Sequence, residues 1–105
     1  MTRVKFLLNG KDIYGFEIKG HSSCDGNDDE GKIVCAAVSS AAYMTANTIT
    51  EIIGNECEID LDDALMRVQV LNPNSDTAIA LEGLRLHLTE LSKQYSRRIK
   101  ITTEV

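Results

Sequence analysis

The stretch Gly20–Ala46, GHSSCDGNDDEGKIVCAAVSSAAYMTA, decides how the rest of the chain is read. Before it, apolar residues recur at every second position. Within it, the period changes to that of a helix. The stretch holds His21, one of two histidines, together with Cys24 and Cys35, two of three cysteines. It also holds the densest acidic run. His21 follows a strand-like segment, a polar loop comes next, and Ile33-Val34-Cys35 reads as a helix start. A cysteine in a helix's first turn sits among unpaired backbone N–H groups at the positive end of the dipole, which favours thiolate. A histidine brought back beside it is placed to take the proton.

Working outward towards the N-terminus, Val4, Phe6 and Leu8 alternate with Lys5, Leu7 and Asn9, a strand pattern with one face buried. Asn9-Gly10 signals a hairpin, because both residues tolerate positive φ. Tyr14, Phe16 and Ile18 then share one face of a second strand, which delivers His21 at its end. Ser22 to Lys32 reads as an acidic loop with Gly26 and Gly31 and no apolar anchor. From about Lys32 to Ile53 the pattern is helical, and Gly54-Asn55 stops it. Two stripes run down this helix: Val34, Val38, Ala41, Thr45 and Ile52, and Cys35, Ser39, Ala42, Ala46, Ile49 and Ile53. A helix apolar over that much of its surface is expected to be covered on more than one side.

Towards the C-terminus, Cys57, Ile59 and Leu61 alternate with acidic residues in a third strand whose apolar face, Cys57 included, is expected in the core. Met66, Val68 and Val70 give a fourth strand. Asn72-Pro73-Asn74-Ser75-Asp76 breaks the pattern and offers N-cap residues. Leu81, Leu84, Leu88, Leu91 and Tyr95 predict a second amphipathic helix from about Asp76 to Tyr95, and Ile99, Ile101 and Thr103 a closing strand. The expectation is one α+β domain over residues 1–105. Its order is ββαββαβ, with a mainly antiparallel sheet packed with two helices.

A chain of 105 residues, 43% hydrophobic and 26% charged, suits one soluble domain with a modest core. The formal net charge of -5 gives nucleic-acid binding no electrostatic support. Three cysteines form no paired framework, which points to a reducing, cytoplasmic setting. Phe6-Leu7-Leu8 is too short for a signal-peptide core. The apolar run from Ile33 to Met44 falls short of the roughly 20 residues of a membrane span.

Each chemical reading has a plainer rival. Cys35 alone is most simply a small buried hydrophobe, and His21 a strand-end histidine satisfied by backbone. Asp25 to Glu30 begins like a calcium loop, but Glu30 occupies the position that requires glycine and Ala36 the one that requires a carboxylate. His21, Cys24, Cys35 and Cys57 are four potential zinc ligands whose spacing fits no common pattern. Cys24 and Cys35 lack the Cys-x-x-Cys arrangement of a redox pair. His87 sits beside the leucine stripe as a boundary residue. Ser39, one turn after Cys35, either supports the thiol or bonds back to the helix.

Gly20-His21, a glycine-containing loop and Ile33-Val34-Cys35-Ala36-Ala37-Val38-Ser39 together resemble the ribosomal-processing cysteine protease family, Prp. The resemblance implies Cys35 as nucleophile and His21 as general base; Gly20, Lys32 and Ser39, beside them in sequence or one helical turn away, are the candidate supporting residues. Backbone N–H groups around Lys32 to Cys35 would then serve the oxyanion. The reaction implied is removal of an N-terminal extension from the twenty-seventh large-subunit ribosomal protein. The resemblance further implies a cytoplasmic homodimer that acts on a ribosomal-protein precursor, whose basic N-terminal segment suits the acidic loop; the Cys–His chemistry calls for no metal or organic cofactor, and the charge and run lengths give no role to nucleic acid or membrane. Many members carry aspartate directly before Ile-Val-Cys. Here that residue is Lys32, which leaves Asp29 and Glu30 as the nearby carboxylates available to orient His21. The rival from another class is a non-catalytic ribosome-assembly or peptide-binding module that uses the acidic loop.

Overall fold

The computed structural model describes residues 1–20 and 28–105. Strands β1 (Thr2–Asn9) and β2 (Asp12–Lys19) form the expected hairpin, followed by helix α1 (Asp29–Asn47), which continues as a π-helical segment, Thr48–Ile53. Strands β3 (Cys57–Asp62) and β4 (Leu65–Val70), helix α2 (Ser75–Gln94) and strand β5 (Ile99–Glu104) complete the chain. The order is the anticipated ββαββαβ. The sheet runs β3-β4-β2-β1-β5, antiparallel throughout except for β1 beside β5, which is parallel.

Register explains why one face is dry. Phe16 lies opposite both Phe6 and Val68, and Ile18 opposite both Val4 and Met66, so the apolar residues of three strands share one side. On that side Val34, Val38, Ala42 and Ile49 from the first helical segment and Leu81, Leu84 and Leu88 from α2 close a single core. The opposite side carries Glu17 with Arg67 and Lys19.

The hairpin turns on different residues from those anticipated. Asn9 pairs with Asp12, so the turn's central pair is Gly10-Lys11, and only Gly10 has positive φ (65°). Between Leu7 and Leu8 the register shifts by one, leaving Tyr14 as the extra residue of a bulge.

The first helix begins earlier than the periodicity indicates. Asp28 caps it, its carboxylate accepting from Gly31 N–H at 3.0 Å, and Asp29 and Glu30 occupy the first turn, where acidic side chains suit the helix dipole. The π-helical segment also changes which residues face inward. Its wider turn keeps Ile49 buried and leaves Ile52, placed above in one of the two apolar stripes, 80% exposed. Gly54 ends it at φ 82°, as anticipated. The continuous helical stretch Asp29–Ile53 spans 25 residues and is long and apolar enough by length and composition to cross a membrane, although the Ile33–Met44 run within it is short. Its buried stripe nevertheless packs on the sheet, as a core helix does. The outer face, with Ile33 and Met44 exposed, has no cover within the described chain.

Helix α2 starts at a reciprocal cap. The Asn74 side chain accepts from Thr77 N–H, and the Thr77 hydroxyl accepts from Asn74 N–H, both at 2.9 Å.

Candidate active-site cleft

One end of the sheet, where β1 begins, β2 ends and β3 turns into β4, faces α1 across an open cleft of about 150 Å³. Cys35, Val38, Ser39 and Tyr43 form its helix wall. Thr2, Ile18 and Gly20 form the floor, and Leu61 to Met66 the far wall. Cys35 is a free, half-buried cysteine. The helical repeat explains the wall, since Cys35, Ser39 and Tyr43 recur every four residues and stack along one side of α1.

Of the anticipated site residues, the structure brings Cys35, Ser39 and Gly20 to one cleft. His21 lies outside the described residues, as do Cys24 and most of the acidic loop, so the calcium-like, zinc and redox alternatives also fall largely there. Lys32 is exposed on α1 and is not among the residues lining the cleft. The expected setting of the thiol is corrected. With α1 beginning at Asp29, Cys35 is the seventh helical residue and sits beyond the first turn. Lys32 N–H already donates to Asp28 C=O at 3.1 Å, so helix-start donors do not extend from Lys32 to Cys35.

Gly20 has a structural reason for its identity. Its φ is 83°, and a Cβ there would lie 2.7 Å from the Met1 carbonyl oxygen. Its N–H donates to Ala64 C=O at 2.9 Å, tying the end of β2 to the β3–β4 turn at the cleft.

Two features escaped the sequence reading. The first is the pairing of Asp28 and Glu30 with Arg98, just before β5. The Arg98 guanidinium, aided by Gly31 N–H, holds the Asp28 carboxyl below its ordinary range. An aspartate three residues before a glycine, ahead of an acidic first turn, was the available cap signal. The second is the far wall, because nothing local in Leu61 to Met66 marks it as facing Cys35. Cys57 was expected in the core with Ile59 and Leu61. It is half-buried against the core while Ile59 and Leu61 are exposed, because β3 is an edge strand that the helices do not cover. Burial pushes the Cys57 thiol up, which disfavours its thiolate. His87 is exposed on α2.

A match to the family model described as cysteine protease Prp extends over residues 1–100. The chain belongs to the cysteine protease Prp family. Membership makes it a cysteine protease and sets aside the non-catalytic rival. Two S. aureus structures of the ribosomal processing protease Prp superpose closely. One is in complex with a covalently linked product peptide, at TM-score 0.87 and 19% identity, and the other with a substrate peptide, at 0.88 and 18%. Each pairing covers 99% of this chain and 100% of the other. SMU.848 from Streptococcus mutans matches at TM-score 0.82 and 23% identity over 99% of both chains. At these identities the likeness is one of fold. A comparison with curated proteins finds no match.

Proposed function

We propose that this protein is a cysteine endopeptidase that removes the N-terminal extension of the twenty-seventh large-subunit ribosomal protein, with Cys35 as nucleophile and His21 as general base. The observation that carries this reading is the place of Cys35 on the wall of an open cleft, in a chain of the Prp family.

The chemistry needs only these two side chains and water. His21 takes the Cys35 proton, and the sulfur attacks the scissile carbonyl carbon to form a tetrahedral intermediate. That intermediate collapses to a thioester as the imidazolium gives its proton to the leaving amine. Water, deprotonated by His21, then cleaves the thioester and regenerates the thiol. Ser39, one helical turn from Cys35 on the same wall, supports the thiol's orientation. Gly20 sets the chain's exit from β2 immediately before His21.

The same reading takes the working form as a cytoplasmic homodimer. Its support is the free thiol chemistry and the apolar surface that Met44, Ile79 and Leu86 expose on the helix layer. The substrate is a basic ribosomal-protein precursor, suited to a chain of net charge -5, and no nucleic acid or membrane takes part.

The test is mass spectrometry of that precursor, from the same organism, after incubation with wild type and with Cys35→Ala. A single N-terminal cut by wild type alone is expected. Cleavage by both proteins, or by neither, overturns the assignment.

A further inference from the structure

Among the described residues, strand β3 is an edge of the sheet. It pairs with β4 on one side, and its other side carries the outward N–H and C=O groups of alternate residues, a template for one more strand. The strand runs into the cleft that holds Cys35, since Leu61 and Asp62 at its end line that cleft. Its two faces differ sharply. Ile59 and Leu61, opposite Val68 and Met66, lie on the helix side and are exposed. Glu58, Asp60 and Asp62, opposite Gln69, Arg67 and Leu65, lie on the other. Arg67, the cation beside Asp60, is committed to Glu17.

This pattern selects among occupants. A second copy pairing antiparallel about Asp60 would set Asp60 against Asp60 and Glu58 against Asp62, and like charges directly opposite are destabilising. The edge is therefore closed to itself. A basic strand meets the reverse situation, with its cations beside the carboxylates and its alternate apolar residues beside Ile59 and Leu61.

From this geometry we infer that the substrate segment docks as a sixth strand on the free edge of β3, with apolar and basic residues in alternation, and that this pairing leads its scissile bond to Cys35. The inference rests on the peptidase reading and adds the substrate pattern and the surface that reads it. Main-chain hydrogen bonds supply affinity, and the two rows of β3 side chains supply the choice of sequence.

The experiment uses fluorescent peptides spanning the cleavage site, each with one backbone N-methyl group, and reads two quantities. One is affinity for the Cys35→Ala protein, and the other is cleavage by wild type. N-methylation is expected to weaken affinity about tenfold or more at every second position and little between them. Glu58→Lys and Asp60→Asn, each in the Cys35→Ala protein, are expected to weaken binding about two- to fivefold, an effect that shrinks at high salt. Thermal melts check that these exposed substitutions leave the fold intact.

Cleavage without any alternation in affinity overturns the strand-docking inference and leaves the peptidase reading standing. Alternation without cleavage does the reverse. Acidic-row variants that change sedimentation but not peptide affinity assign the edge to a second copy, which also overturns the inference.

Discussion

Arg98, the residue before β5, pairs with Asp28, the N-cap of α1, across seventy positions of sequence, and its Nε lies 3.4 Å from Glu30. Arg98 C=O also accepts from Thr2 N–H at 2.7 Å. One residue thus joins the start of the cysteine-bearing helix to the start of β1, which contributes Thr2 to the cleft floor.

Because the Arg98 pairing lowers the Asp28 carboxyl below its ordinary range, the sign of its pH dependence is fixed. Its contribution is fully present above the unfolded carboxylate value of about 3.9 and is lost as pH falls through the lower folded value. Asparagine keeps a capping oxygen but not the charge. Melts of wild type and Asp28→Asn should therefore differ at pH 7 and converge below about pH 4. A gap that stays constant across that range contradicts the pairing.

Glu17 and Arg67 present an unequal case. The Glu17 side chain is 6% exposed and that of Arg67 27%, and Lys19 reaches Glu17 at 3.0 Å from solvent. Burial alone would raise the Glu17 carboxyl, but Lys19, and after it Arg67, turn the net shift downward. Arg67→Met leaves a buried carboxylate with Lys19 as its nearest cation and should cost about 2–3 kcal/mol near neutral pH, less than the roughly 3–5 kcal/mol of breaking a fully buried pair because Lys19 stays in place. Glu17→Gln leaves an arginine that can turn to water and should cost about 1 kcal/mol. Urea unfolding of both variants checks the order, and equal losses would contradict it.

Much of this fold is written in local pattern. The alternation of Val4, Phe6, Phe16 and Val68, the leucine repeat of α2 and the Gly54 stop all report interactions within a few residues. What escaped is decided elsewhere. Gly31 and the acidic run read as loop, because the cap and the Arg98 pairing that hold Asp29–Lys32 helical lie partly seventy residues away. Ile52 and Leu61 read as core by period, yet a π-helical turn moved one outward and a place at the sheet edge exposed the other. Among the cleft residues, Cys35, Ser39 and Gly20 were singled out from the sequence and Tyr43 follows by the same four-residue repeat, whereas Leu61 to Met66 join the cleft only through the strand order.

Gly15 tests the close approach of β2 and β4. A Cβ there would lie 2.2 Å from the Val68 carbonyl oxygen, a backbone atom that a rotamer change cannot move aside. Gly15→Ala should cost about 3 kcal/mol, at the upper end of overpacking, and lower Tm by about 10 °C or more. An unchanged melt would mean that the two strands separate freely. Gly20→Ala combines the same kind of clash with a φ of 83° that alanine resists. Its site lies between β2 and His21, so its expected mark is a loss of cleavage larger than its change in Tm implies.

The two described cysteines should separate cleanly. Cys35 and Cys57 are both half-buried and free, so exposure does not distinguish them. Their surroundings do. Cys35 faces a cleft shared with Ser39 and Tyr43, while Cys57 packs against the core, where burial disfavours its thiolate and its Sγ has the Asn55 carbonyl at 4.0 Å. Removing a nucleophile costs the whole covalent pathway, so Cys35→Ala should lower cleavage by at least about a thousandfold with little change in Tm. Cys57→Ser should instead lower stability by about 1 kcal/mol, by placing a hydroxyl against apolar neighbours, and leave kcat/KM within about twofold of wild type. If Cys57→Ser abolishes cleavage and Cys35→Ala does not, the nucleophile lies on β3 and the cleft has been assigned to the wrong thiol.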